Sequence, residues 1–314
     1  MTIQTYWQLD VAAEPQRSEP SERAQWQAVA RDVRTSAINR YDHYAAIARA
    51  AALTAFDGLF VAHREAGDDS QIVAAAVARE VPRLALIPEF PASVGSAVYA
   101  SKQATSFQRL AHERLGWAIA ADADAETRAR GADHVDEADL IARTEEFLAV
   151  ARGVHGGQGY SFKGRFFEVE KGGFDAPLNR VRFPTVFLRG TSEEALSLSA
   201  RQADVHLFDP APIEDLRHSI ETLEALAVAT GRTVAFGIVQ PVVAREYADE
   251  VGYVPQGSIA GTYEDVAEQL ATLAHLGVTH FVLGASPSLE EAYRVGQFVL
   301  PRFRTLTDPL RAAA

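Results

Sequence analysis

Short hydrophobic stretches of four to seven residues alternate along the chain with longer segments whose apolar positions recur at helical spacing. A short apolar run predicts a buried strand, and apolar residues three and four positions apart predict an amphipathic helix. Strands are predicted at residues 3–9, 58–61, 84–88, 115–120, 185–188, 205–208, 234–240 and 280–283. A helical pattern follows each of them. Eight consecutive β–α units predict a single (β/α)8 barrel that spans residues 1–314.

Two segments interrupt this alternation. Residues 15–35 are polar, contain proline and lie between the first strand and the first helix, at residues 41–55. They form either a solvated loop or a lid over the end of the barrel. Residues 160–171 alternate aromatic and polar side chains around Lys163-Gly164, which predicts a β-hairpin inserted after the fourth predicted helix, at residues 140–153.

The amino-acid composition limits the kinds of molecule that the protein is expected to bind. The net charge of −12 argues against nucleic acid or an anionic membrane as the main partner. The chain has no cysteine, which excludes disulfides, thiolate metal ligands and a cysteine nucleophile. No apolar stretch approaches the roughly 20 residues that span a bilayer. The first residues lack the basic and apolar regions of a secretory signal, so we expect a cytoplasmic protein.

The turn after the fifth strand has the features of an anion site. Gly190, Thr191 and Ser192 separate the strand from a helix that begins at Glu193. The first N–H groups of a helix lack intrahelical partners and attract anions, and two hydroxyls lie beside them here. We therefore predict a phosphate site at this turn. Arg189 either adds a positive charge to it or pairs with a neighbouring carboxylate.

Polar residues gather at the C-terminal strand ends, where (β/α)8 barrels carry their sites. These residues are Asp10, His63, Glu89, Asp122, His206, Asp209 and Gln240. This acidic set predicts a polar site for a cationic or hydroxylated substrate. A divalent metal and simple capping of the following helices are the alternatives. Because no spacing such as His-x-x-His is present, no metal is assigned.

Between residues 6 and 302 the chain resembles the luciferase-like flavin monooxygenases, in particular their alkanesulfonate branch. The resemblance rests on the order and spacing of segments at 47–51, 56–60, 102–110, 162–167, 190–192 and 289–294. It implies a (β/α)8 barrel that uses O2 and reduced FMN, supplied by a separate flavin reductase, to oxidise a small-molecule substrate. It also implies a homodimer, or a heterodimer with a paralogue, formed through the helices after strands two and three.

The resemblance and the strand-end positions together predict the site. The catalytic candidates are His63, Glu89, Asp122 and His134. The candidates for contact with the cofactor are Glu89, Ala118, Arg189, Gly190, Thr191 and Ser192. The candidates for contact with the substrate are Asp10, Gln240 and Ser286.

Several reactive side chains expected from the resemblance are absent. Where the resemblance implies a cysteine, this chain has Gly67, and where it implies an arginine and a histidine, the chain has Val239 and Pro241. Ser286 takes the place of a tyrosine. Ala118 takes the place of an asparagine, and Ile141 that of a second tyrosine. Because a buried phosphate needs donors or cations, we predict weak FMN binding. The acidic strand ends predict a substrate other than a sulfonate. The alternative is a flavin-poor or flavin-free relative that acts as a non-catalytic partner subunit or has repurposed the barrel mouth.

Overall fold

The computed structural model describes residues 2–12, 40–54, 56–121 and 123–312. The predicted loop at 15–35 and Asp122 lie outside the described residues. The strands are β1 (Gln4–Asp10), β2 (Gly58–Ala62), β3 (Ala85–Phe90), β4 (Gly116–Ile119), β5 (Tyr160–Lys163), β6 (Glu168–Gly172), β7 (Thr185–Arg189), β8 (Val205–Phe208), β9 (Ala235–Arg245), β10 (Ile259–Thr262) and β11 (Val278–Gly284). The helices are α1 (Arg40–Leu53), α2 (Ser70–Val77), α3 (Ala97–Leu110), α4 (Ala125–Arg130), α5 (Leu140–Gly156), α6 (Glu193–Gln202), α7 (Ile213–Ala229), α8 (Tyr263–His275), α9 (Ser288–Arg294) and α10 (Leu300–Ala312).

Eight parallel strands close into a barrel. Their order is β9, β11, β1, β2, β3, β4, β7 and β8, and β8 pairs with β9 to complete the ring. The helices lie between successive strands of the chain. The (β/α)8 barrel predicted from the sequence is confirmed, and except at the end of β9 the strand boundaries agree with prediction to within two residues.

Side chains alternate between the barrel interior and the helices that surround it. Tyr6, Phe60, Ile87, Phe187 and Val282 belong to the apolar cluster inside the barrel. Their strand neighbours pack outward in a second, larger cluster with the helices. Because these side chains fill the interior, the barrel has no open channel. Ligands have room only at the ends of the barrel.

β9 is longer than the sequence pattern predicts. Up to Pro241 it pairs with β11 in the barrel, and from Val242 to Arg245 it pairs in parallel with β10 outside the barrel. Proline lacks a backbone N–H and so interrupts one ladder, which marks the point where the pairing partner changes. β10 escaped prediction because its sequence, Ile-Ala-Gly-Thr, is short and has no apolar alternation.

Two antiparallel strands, β5 and β6, lie between α5 and β7. Their turn is held by Glu146 on α5, whose carboxylate accepts the backbone N–H groups of Arg165, Phe166 and Phe167 at 2.8, 2.8 and 3.2 Å. A carboxylate that accepts several N–H groups makes strong, charge-assisted bonds. This glutamate therefore fixes the hairpin against the helix. Within the described part of the chain, none of the helices is long and apolar enough to cross a membrane.

Candidate active site

Glu89, near the C-terminal end of β3, is a buried carboxylate with 5% of its surface exposed. Its Oε1 accepts a hydrogen bond from Arg189 Nη1 at 3.3 Å, and its Oε2 accepts the backbone N–H of His63 at 3.0 Å. Arg189 Nη2 also donates to Asp209 Oδ1 at 2.5 Å. One guanidinium thus connects the ends of β3, β7 and β8.

The charge on Arg189 is secured by these partners. Burial alone lowers the pKa of Arg189, but attraction to Asp209 and Glu89, with their hydrogen bonds, raises it above its ordinary value. The guanidinium therefore stays protonated at any physiological pH. Of the two alternatives for Arg189 left open by the sequence, the structure displays the pairing with carboxylates.

A second ion pair lies at the ends of β1 and β2. Arg64 donates through Nε and Nη2 to Asp10 Oδ2, at 3.0 and 2.7 Å. The other oxygen, Asp10 Oδ1, accepts the backbone N–H of Ala12 at 2.8 Å. Both side chains are more than one-third exposed, so water screens this pair more strongly than it screens Arg189 and Glu89.

A cavity of about 900 Å³ opens beside these ion pairs. Its lining includes Gln8, Arg64, Arg189, Asp209 and Gln240, together with the loop before β10. Gln240 Nε2 donates to the carbonyl oxygens of Pro241 and Gly257, at 3.0 and 2.7 Å, and so fastens that loop over the cavity. Ligand sites commonly occupy 300–1,000 Å³, so this cavity is large enough for a cofactor or a substrate.

Gln8 is a candidate binding residue that the sequence pattern did not predict. Its side-chain amide lines the cavity and makes no hydrogen bond to any residue that the structure describes. It has one donor group and one acceptor group to offer a ligand. Gln8 lies on β1 two residues after the inward-facing Tyr6 and two residues before Asp10. Because side chains two residues apart on a strand face the same side, this spacing could have predicted that Gln8 faces the site. Arg64, next to the predicted His63, was missed as well.

The predicted anion turn is already occupied in part by the protein itself. Ser192 Oγ accepts the backbone N–H of Ala195 at 3.1 Å and thereby caps α6. Glu193 and Glu194 lie in the first turn of that helix. Hydrogen bonds from its own backbone N–H and from the Ser192 hydroxyl lower the pKa of Glu194. A carboxylate therefore competes for the N–H groups that would bind a phosphate.

Of the described residues with a predicted role in the site, Arg189 and Gln240 line the cavity and the others do not. The His63 imidazole faces Glu65, 3.2 Å away, and Ala118 is buried in the apolar interior of the barrel. His134 and Ser286 are exposed, on the loop after α4 and on the turn after β11. Their assigned roles stay predictions.

His206 points away from the barrel mouth. Its ring is fully buried, and Nδ1 lies 2.8 Å from Ser199 Oγ on α6. Burial lowers the pKa of His206 to about 4. Burial also lowers the pKa of His280, which stacks on Tyr6 inside the barrel, to about 4. Both imidazoles are therefore neutral at pH 7.

We expect these histidines to make the fold sensitive to mild acid. Their pKa falls from 6.5 in the unfolded chain to about 4 in the folded one, so the unfolded chain takes up protons first as the pH drops. Stability is then fully present above pH 6.5 and declines below it. Urea unfolding at pH 7.5 and 5.5 should differ by about 2–3 kcal/mol for the pair.

The double variant His206→Asn/His280→Asn should flatten this dependence. His218→Asn, which alters an exposed histidine of α7, is the matched control and should leave the slope unchanged. Equal slopes in all three proteins would contradict the assignment.

Comparison with known proteins identifies a matching family and several structures with the same fold. A family model described as luciferase-like monooxygenase matches residues 22–252. A riboflavin lyase, solved with modified FMN and riboflavin, superposes with a TM-score of 0.80 at 16% identity, over 97% of this chain and 92% of that one. The EDTA monooxygenase of Chelativorans sp. BNC1 superposes with a TM-score of 0.76 at 16% identity, over 97% and 94%.

The cofactor varies among proteins with this fold. A coenzyme F420-dependent tetrahydromethanopterin reductase from Methanopyrus kandleri superposes with a TM-score of 0.77 at 12% identity, over 96% of this chain and all of that one. At such low identities the superpositions establish the fold alone. The residues of the site, and not the fold, decide which cofactor and substrate bind.

Proposed function

The chain belongs to the luciferase-like monooxygenase family, and we propose that it is a two-component monooxygenase that uses reduced FMN and O2 to oxidise an uncharged or cationic small molecule. A separate flavin reductase would supply the reduced flavin. The family match supports an oxidoreductase. Placement in the alkanesulfonate branch stays a prediction.

The charge of the mouth is the observation that carries the choice of substrate. Both described arginines of the cavity lining, Arg64 and Arg189, are engaged by carboxylates. These two guanidinium groups are paired with three carboxylates, those of Asp10, Glu89 and Asp209. A sulfonate would have to break an existing ion pair to obtain a cation, and it would meet an excess of negative charge. An amine or a neutral thioether meets no such penalty.

The residues present suit the ring system of a flavin better than its phosphate. The cavity has sufficient volume, and the Gln8 amide can donate to or accept from a heterocycle. A reduced flavin bound there would supply the electrons that activate O2. The chain's own contribution would be to position the ligand beside Arg189 and to keep water out, since Gln240 holds the loop before β10 over the cavity.

A coupled assay tests the proposal. The purified chain is mixed with a flavin reductase, NADH, FMN and either an alkanesulfonate or an uncharged or amine-containing substrate of similar length. We expect no sulfite from the sulfonates and oxygenated product from at least one of the others. The same mixture without the chain accounts for oxidation by free reduced flavin. Sulfite release at about 1 per second, an ordinary enzymatic rate, would refute the substrate assignment.

A flavin-free role is the second candidate, and the apolar character of two positions favours it. Ala118 and Val239 are buried among hydrophobic side chains, where the resemblance implied an asparagine that faces the flavin and an arginine. Anaerobic titration with reduced FMN, followed by quenching of tryptophan fluorescence, separates the two candidates. Saturable quenching supports the monooxygenase, and its absence supports a non-catalytic subunit or other chemistry at the barrel mouth.

A second copy of the chain is a further proposed partner. Ile72 on α2 and Tyr99 and Leu110 on α3 are 67%, 61% and 84% exposed, and they line one apolar groove. Exposed apolar surface of this kind commonly marks a protein interface. We infer a homodimer through α2 and α3. A mass of one chain by light scattering at micromolar concentration would contradict it.

A further inference from the structure

The start of α6 combines an anion-binding geometry with fixed negative charge. Ser192 ends the turn after β7 and caps the helix through the N–H of Ala195. Glu193 and Glu194 follow at once, and both are exposed at the helix start. Carboxylates of the chain itself therefore already interact with the positive end of the helix dipole.

Arg189, the cation next to this turn in sequence, is already paired with carboxylates. Arg189 precedes Gly190 directly, but its Nη1 lies 3.3 Å from Glu89 Oε1 and its Nη2 lies 2.5 Å from Asp209 Oδ1. To contact a phosphate at the turn, the guanidinium would have to leave at least one carboxylate. Leaving Glu89 would strand a buried charge, which is strongly unfavourable.

We propose that Glu194 makes this site discriminate against the phosphate of a flavin, so that a phosphate-free flavin binds at least as tightly as FMN. This inference rests on the proposed flavin-dependent function. A phosphate monoester carries nearly two negative charges, and a carboxylate at the same helix terminus repels it. The isoalloxazine ring and the ribityl chain are the same in riboflavin and FMN, so they do not contribute to the difference between the two. Glu194 is therefore a residue that determines cofactor specificity.

Riboflavin and FMN form a matched pair of probes, because they differ only in the phosphate. The ratio of their dissociation constants reports the contribution of the phosphate to binding, because the contacts of the ring cancel. It is measured by quenching of flavin fluorescence for the oxidised forms and by tryptophan quenching under anaerobic conditions for the reduced forms. The proteins are the wild type, Glu194→Gln, and Glu224→Gln as a control that removes the same charge from the exposed face of α7.

We expect the wild type and Glu224→Gln to bind riboflavin as tightly as FMN or more tightly. Glu194→Gln should strengthen FMN binding roughly fivefold to tenfold, the size expected when one nearby charge is removed at a solvent-exposed site. Its riboflavin affinity should stay unchanged. Flavin binding with a preference for FMN in the wild type, or with an unchanged ratio in Glu194→Gln, would overturn the discrimination alone. Failure of all three proteins to bind either flavin would overturn the flavin-dependent function, and this inference with it.

Discussion

Replacing Arg143 by methionine is expected to lower the free energy of unfolding by about 3–5 kcal/mol. Arg143, near the start of α5, donates from Nη1 to Asp133 Oδ2 at 2.6 Å. Only 5% and 10% of the two side chains are exposed. Burial raises the pKa of Asp133, but the hydrogen bonds from Arg143 and from the backbone N–H of Val135 lower it below its ordinary value. Without Arg143 the buried carboxylate would lose its ion pair and would keep the hydrogen bond from the backbone N–H of Val135.

Arg165→Met is the matched control for that substitution. Arg165 pairs with Asp139, and 66% and 17% of the two side chains are exposed. Because the guanidinium is largely in water, the pair should contribute about 0–1 kcal/mol, and this variant should unfold close to the wild type in urea. The double variant Asp133→Leu/Arg143→Met should recover much of the loss, because no charge is left unpaired. Equal, small losses for Arg143→Met and Arg165→Met would show that burial does not decide the contribution of the pair.

Replacing Arg189 by methionine is expected to cost about 2–4 kcal/mol of stability and to remove the activity proposed for the cavity. The substitution leaves Glu89, which is 5% exposed, with only the backbone N–H of His63. Asp209 loses its partner too, but it is half exposed and water can replace the contact. The penalty should therefore come almost wholly from Glu89.

Three variants separate these contributions in urea unfolding. Arg64→Met breaks the exposed pair with Asp10 and should cost less than about 1 kcal/mol. Arg189→Lys keeps the charge but lacks the planar fork that contacts two carboxylates at once, so it should rescue only part of the loss. Glu89→Gln combined with Arg189→Met should restore stability but not activity. If Arg189→Met were as stable as Arg64→Met, Glu89 would not depend on the guanidinium.

The fold and the strand-end positions of several candidate site residues were accessible from the sequence. Short apolar strands and amphipathic helices are local patterns, and eight of them in alternation leave few arrangements other than a closed barrel. The same pattern located Glu89, Arg189 and Gln240 at strand ends, because parallel strands present their C-terminal ends on one side. The serine at 192 was also recognisable as part of a helix start.

Which of these residues act together was decided by tertiary structure alone. Glu89, Arg189 and Asp209 are far apart in sequence, and only barrel closure brings their charges within hydrogen-bonding distance. His206 lies on a four-residue strand whose neighbours are all apolar, so periodicity could not tell whether it faces the mouth or α6. Strand and helix periods follow from local backbone geometry, whereas ion pairing and burial depend on residues from different elements meeting in space.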